Sequence, residues 1–148
     1  MATRLKRLSP KNVLLGTLLL LVAIQLVPYG RAHTNPAVVI EPAWDAPATR
    51  DLVRRACFDC HSNETHWPGY ASVAPSSWLV QNDVDGGRAH LNFSEWQRSQ
   101  RHAKDAAGEV RTRDMPPWYY TMMHPSAQLS DADRARLVAA FEKMFGTK

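Results

Sequence analysis

Cys57-Phe58-Asp59-Cys60-His61 holds the only two cysteines of the 148-residue chain, in the spacing of a c-type haem attachment site. Two thiols one helical turn apart can each add across a vinyl group of the same haem, fixing it by two thioether bonds. The imidazole of His61 then stands beside the iron as its proximal ligand. The cofactor expected from these residues is one haem c, covalent through Cys57 and Cys60.

The residues upstream agree with this reading. Arg4, Lys6, Arg7 and Lys11 precede an apolar run from Val13 to Val27, broken only by Gly16, Thr17 and Gln25, before Pro28. A basic flank followed by an apolar stretch is a membrane-directed segment. The run is shorter than the ~20 residues of a comfortable transmembrane helix, so a signal peptide and a short anchor both stay open. Gly30-Arg31-Ala32 offers small residues for cleavage without the usual Ala-x-Ala. The expected organisation is a signal or membrane anchor over 1–30, a proline-bearing linker over 31–46, and a c-type haem-binding domain over 47–148. The basic end stays cytoplasmic and the remainder is exported. The haem domain is expected in the bacterial periplasm, anchored at the inner membrane, with secretion after cleavage as the alternative.

The net charge of +4 invites a nucleic-acid partner until it is divided. Residues 1–32 hold five Lys or Arg and no acid, leaving 13 basic against 14 acidic residues beyond them. The exported part is near neutral, so nucleic acid is discarded as a partner. Only 18 of the 116 residues from His33 onward are Leu, Ile, Val or Phe. That is lean for a self-sufficient core in so small a domain. An apolar cofactor would supply what the side chains lack, and the apoprotein is expected to fold poorly.

Helical periodicity begins near Ala48, where Leu52, Val53, Ala56, Cys57 and Cys60 share a face. Residues 63–77 read as a loop carrying aromatic side chains. A short helix is expected over 77–83, stopped by Asp85-Gly86-Gly87. Ser94 with Gln97 forms a capping-box pattern ahead of a helix ending near Gly108. Pro116 and Pro117 keep the segment after Met115 out of a helix interior. Ser130 with Asp133 caps a terminal amphipathic helix carrying Leu137, Val138, Phe141, Met144 and Phe145. No alternating strand pattern of useful length is present.

The second axial position of the iron decides the chemistry. Met115 is the preferred distal ligand, because a weak thioether must be held in place and the prolines stiffen its loop. His124, beside Met122 and Met123, is the alternative. His66 lies too near His61 to reach the opposite face, and His90 and His102 read as surface residues. Asn63-Glu64-Thr65 and Asn92-Phe93-Ser94 match the glycosylation sequon but carry little meaning in an exported bacterial protein.

Taken in order, Cys57 to Thr65, Trp67-Pro68, Ala74-Pro75-Ser76-Ser77-Trp78-Leu79-Val80, Leu91-Asn92-Phe93-Ser94-Glu95-Trp96, Met115-Pro116-Pro117 and His124-Pro125 before Leu129-Ser130 resemble the bacterial haem-binding domain family. Gln25 to Arg31 followed by Asn35-Pro36 also resembles that family and favours a retained anchor. The resemblance implies small, exported, often membrane-anchored, cytochrome c-like proteins. With the helical periodicity it gives the expected fold class: all-α, a cytochrome c-like helical domain wrapped around one covalent haem and preceded by the N-terminal membrane segment.

The expected function is one-electron transfer with redox partner proteins on the periplasmic side. No catalytic residue is assigned, and a carrier is preferred to an enzyme. The alternative is a haem-based gas or peroxide sensor or enzyme with an open or displaceable distal ligand, for which Arg111, Arg113 or His124 would handle protons. A dithiol redox site would need a strand-helix context that is not visible. A zinc site from Cys57, Cys60, His61 and His66 would crowd adjacent ligands around a tetrahedral ion.

Overall fold

The computed structural model describes residues 9–147, and Arg4, Lys6 and Arg7 of the basic flank lie outside them. Among the described residues there are seven α-helices: α1 Pro10–Ala23, α2 Pro47–Ala56, α3 Phe58–His61, α4 Ser76–His90, α5 Ala106–Thr112, α6 Trp118–Met123 and α7 Asp131–Phe145. An isolated bridge between Ile40 and Glu95 is the one β pairing among them. The fold is all-α. The described residues form two compact units, one of residues 9–33 with Pro68–Gln81, the other of Thr34–Trp67 with residues 82–147.

In the first unit, α1 buries none of its residues, and its Leu and Val side chains are exposed on every side. Its 14 residues rise only about 21 Å, short of the ~30 Å hydrocarbon core. No helix of the described residues is long and apolar enough to cross a membrane. After α1 the chain is bonded firmly to residues 71–77. Gln25 donates Nε2–H to the Ala74 carbonyl (2.9 Å) and accepts from the Ala74 amide through Oε1 (3.0 Å). Arg31 donates to the same Oε1 (3.0 Å), Ser77 Oγ to the Tyr29 carbonyl (3.3 Å) and His33 Nε2 to the Ala71 carbonyl (3.0 Å). Gly30, at φ 80°, lies so close that a Cβ there would stand 2.2 Å from the Ser77 carbonyl oxygen.

The second unit holds the core. Pro47 opens α2 at a position that tolerates its missing N–H. Steps of three and four then bury Thr49, Leu52, Val53 and Ala56. The Cys57 amide still bonds to the Val53 carbonyl (2.8 Å), and the Cys60 and His61 amides turn back to the Cys57 carbonyl (3.2 and 2.9 Å). The expected helix therefore runs on into the CxxCH turn, α3. The terminal helix also forms as the pattern requires: Ser130 Oγ accepts the Asp133 amide (3.1 Å), Asp131 and Asp133 meet the positive end of the helix dipole, and Leu137, Ala140 and Phe141 are buried. Helix α7 packs against both α2 and α5.

Phe93 is the aromatic hub, with Trp44 at 5.4 Å, Phe58 at 5.9 Å, Trp96 at 6.2 Å and Phe141 at 6.3 Å between ring centroids. Large rings thus replace the aliphatic side chains the composition lacks.

Two expected elements differ and one helix is additional. Helix α4 does not stop at Gly86-Gly87 but continues to His90. A side chain at 87 would collide with the turn it crosses, since its Cβ would stand 2.3 Å from the Cys60 carbonyl oxygen. The glycine serves close approach rather than termination. The capping-box pattern at Ser94 starts no helix. Its hydroxyl is buried and accepts the Asn63 amide (2.9 Å), so a local cap is displaced by a tertiary bond. Helix appears only at α5, after a 3₁₀ turn over Ala103–Asp105. Helix α6, directly after Pro117, was not expected.

Candidate cofactor site

Cys57, Cys60, His61 and Met115 line one cavity of about 410 Å³ in the second unit. Ala56, Leu91, Phe93, Ala106, Val110 and Phe141 supply its apolar wall. His124 does not line it. That ring stacks on Tyr120 at 4.3 Å and donates Nδ1–H to the Tyr120 carbonyl (3.1 Å). Of the two distal candidates, the structure brings only Met115 to the cysteines. Arg111 pairs with Glu142 and Arg113 with Asp131, and neither lines the cavity.

His61 is held in one tautomer. Its Nδ1 lies 2.9 Å from the Leu91 carbonyl, an acceptor only, so Nδ1 carries the proton and the Nε2 lone pair remains. Burial lowers the imidazole's pKa, with the Leu91 carbonyl opposing in part. A neutral ring with its second nitrogen committed to a carbonyl is the form in which histidine ligates a metal. The Phe93 amide also donates to the His61 carbonyl (2.8 Å). Leu91 and Phe93 thus grip His61 from side chain and backbone.

Behind this grip lies a buried amide network. Asn92 Nδ2 donates to Asn63 Oδ1 (2.9 Å), Asn92 Oδ1 accepts the Ser94 amide (2.9 Å), and Asn63 Nδ2 reaches the Ala37 carbonyl (2.9 Å) and Glu95 Oε1 (3.0 Å). Asn63 and Asn92 are each only 2% exposed. Both sequon asparagines are structural cross-links, closed to glycosylation in the folded chain.

Both cysteines are thiols. Burial pushes each up to about 12, with Asp83 and Asp59 adding to the effect at Cys60. Among the described residues no group of three or more His, Cys, Asp or Glu is placed to hold a metal ion, so the zinc reading has no support, and the all-helical setting lacks the strand-helix context of a thioredoxin-like dithiol. Asp59, between the cysteines, accepts the Tyr120 hydroxyl (2.6 Å) and the His66 amide (2.9 Å), and Asp83 accepts the Tyr119 hydroxyl (3.1 Å). Helix α6 is thereby tied to the CxxCH turn and to α4.

Met115 sits half-buried after the left-handed Arg113 (φ 69°) that closes α5. Its amide donates to the Glu109 carbonyl (3.1 Å), and Arg134 Nη1 donates to the carbonyls of Val110 (2.6 Å) and Met115 (3.4 Å). The loop is fixed from both ends, as a weak thioether ligand requires.

The donor set fits a haem: two neutral thiols one turn apart, an imidazole offering Nε2 and a thioether, around an apolar cavity. Sequence reasoning missed the Leu91–Ser94 grip, Gly87, and His90 and His102, which also line this cavity. The class defined is an all-helical domain built about a CxxCH cofactor cavity. The haem-binding domain family model matches residues 19–143, and the chain belongs to that family. No curated protein and no solved structure matches it.

Proposed function

We propose that the protein is a c-type cytochrome that carries one electron at a time between redox partners on the periplasmic face of the bacterial inner membrane. The observation that carries this reading is the gathering of Cys57, Cys60, His61 and Met115 on one apolar cavity, with His61 Nδ1 already committed to the Leu91 carbonyl. Cys57 and Cys60 would form the two thioethers, and His61, through Nε2, and Met115 would hold the iron. Bound there, haem supplies a one-electron iron couple. The chain's own contribution is to fix both ligands and to exclude water with Phe93, Val110 and Phe141. Helices α2 and α7 packing together, with a methionine loop before α7, support a cytochrome c-like arrangement.

Membrane retention has two supports: the exposed leucines of α1, and the bonding of residues 25–33 to residues 71–77. Gly30-Arg31-Ala32 lies within that bonded segment, where a protease needs extended chain, and the family match begins at residue 19. Arg111, Arg113 and His124, the proton handlers that the sensor or enzyme reading would use, do not line the cavity.

The test is optical spectroscopy of full-length protein matured in a host with haem-attachment machinery. A methionine-to-iron charge-transfer band in the oxidised form, lost in Met115→Ala and kept in His124→Ala, is the expected result. Carbon monoxide binding to the untreated reduced protein would overturn the six-coordinate carrier.

A further inference from the structure

His90 and His102, far apart in the chain and read from sequence as surface residues, meet at the exposed edge of the cofactor cavity with ring centroids 5.0 Å apart. Each has its Nδ1 committed. His90, the last residue of α4, donates to the Gly86 carbonyl (2.7 Å), and His102, just before the 3₁₀ turn, faces Asp105 Oδ2 (3.0 Å). Both rings therefore present Nε2.

The charges of the wall make this pair unusual. Among the described residues lining the cavity are four carboxylates, Asp59, Asp83, Asp105 and Glu109, and no Lys or Arg. Asp59 and Asp83 engage Tyr120 and Tyr119, so those hydroxyls are spoken for. A haem brings two propionate carboxylates of its own into this acidic setting. Apart from His61, these two imidazoles are the wall's only side chains that can become cationic.

We propose that His90 and His102 together form the propionate seat of this cavity, each imidazolium donating Nε2–H to a propionate oxygen. The pair thus fixes the outer edge of the cofactor and sets the local charge that tunes its potential. Like charge on Asp83 and Glu109 keeps the propionates off the rest of the rim. The proposal rests on the haem reading above.

The experiment is resonance Raman spectroscopy and redox titration of the full-length, haem-loaded protein, comparing wild type, His90→Gln/His102→Gln and His90→Arg/His102→Arg at one neutral pH. In the glutamine variant the propionate bending bands shift and the reduction potential falls, because lost positive charge near the carboxylates favours the oxidised iron. The arginine variant restores both signals, which a merely structural role for the imidazoles would not produce. Bands or potential left unmoved in the glutamine variant would overturn the propionate seat while leaving the haem reading intact. A wild-type protein without haem in its pyridine haemochrome would overturn the haem reading itself, and this seat with it.

Discussion

Replacing Gly87 with alanine tests whether the contact between α4 and the CxxCH turn is as close as described. The added Cβ would stand 2.3 Å from the Cys60 carbonyl oxygen, 2.8 Å from its carbon and 3.0 Å from the Cys60 Cβ. Ordinary contact begins at 3.4 Å, so the two segments must part by about 1 Å, and the obstructing atoms are backbone that cannot rotate away. Overpacking of this kind costs about 1–3 kcal/mol, offset by about 0.5–1 kcal/mol of helix propensity gained over glycine. The net loss of about 1 kcal/mol lowers the melting temperature of a domain this size by roughly 3–6 °C. The control is Gly108→Ala in α5, where a Cβ meets nothing within 4 Å and the same propensity gain should raise the melting temperature by a few degrees. Thermal melts of the haem-loaded proteins, followed by far-ultraviolet circular dichroism, read both. Gly87→Ala melting with the wild type, or both variants moving in the same direction, would refute the close approach.

Asn92→Ala removes a buried amide that bridges Asn63 and the Ser94 backbone, and should cost about 2–3 kcal/mol in urea unfolding through lost bonds and stranded partners. Arg50 donates to Glu41 through Nε (2.7 Å) and Nη2 (2.6 Å), and with Trp44 it holds the Glu41 carboxyl below its ordinary pKa. The folded state then binds fewer protons than the unfolded one, so this pair stabilises above the usual carboxylate range and loses its effect as pH falls through the lowered value. Glu41→Gln should accordingly lower stability by at most about 1 kcal/mol at neutral pH and by less in acid, read from urea midpoints at neutral pH and below the ordinary carboxylate range. Cys57→Ser/Cys60→Ser, matured in parallel with the wild type, should melt without a cooperative transition, since its cavity of about 410 Å³ keeps an apolar wall with no cofactor on it.

Local chemistry was legible in the sequence wherever a pattern closes on itself. The α2 face, the Ser130 cap and the CxxCH turn each depend on residues within a few positions, and each formed as read. Met115 was legible as a cavity residue because prolines mark its loop. The errors fall where a residue with a local meaning was used at long range. Gly86-Gly87 looks like a helix stop, but Gly87 is needed by Cys60, 27 positions away. Ser94 looks like a cap, but its hydroxyl serves Asn63. Asn63 and Asn92, which carried little meaning as sequons, are a buried pair. His90 and His102 appeared unrelated because only the course of the chain between α4 and the following 3₁₀ turn brings their rings together.

The central claim is that Cys57 and Cys60 carry a covalent haem whose iron is held by His61. A pyridine haemochrome of the full-length protein, matured with haem-attachment machinery and extracted with acidified acetone, tests it most directly. The account predicts a two-thioether spectrum that stays with the protein through extraction and is lost in Cys57→Ser/Cys60→Ser. Haem that extracts freely, or a protein that carries none, would contradict it.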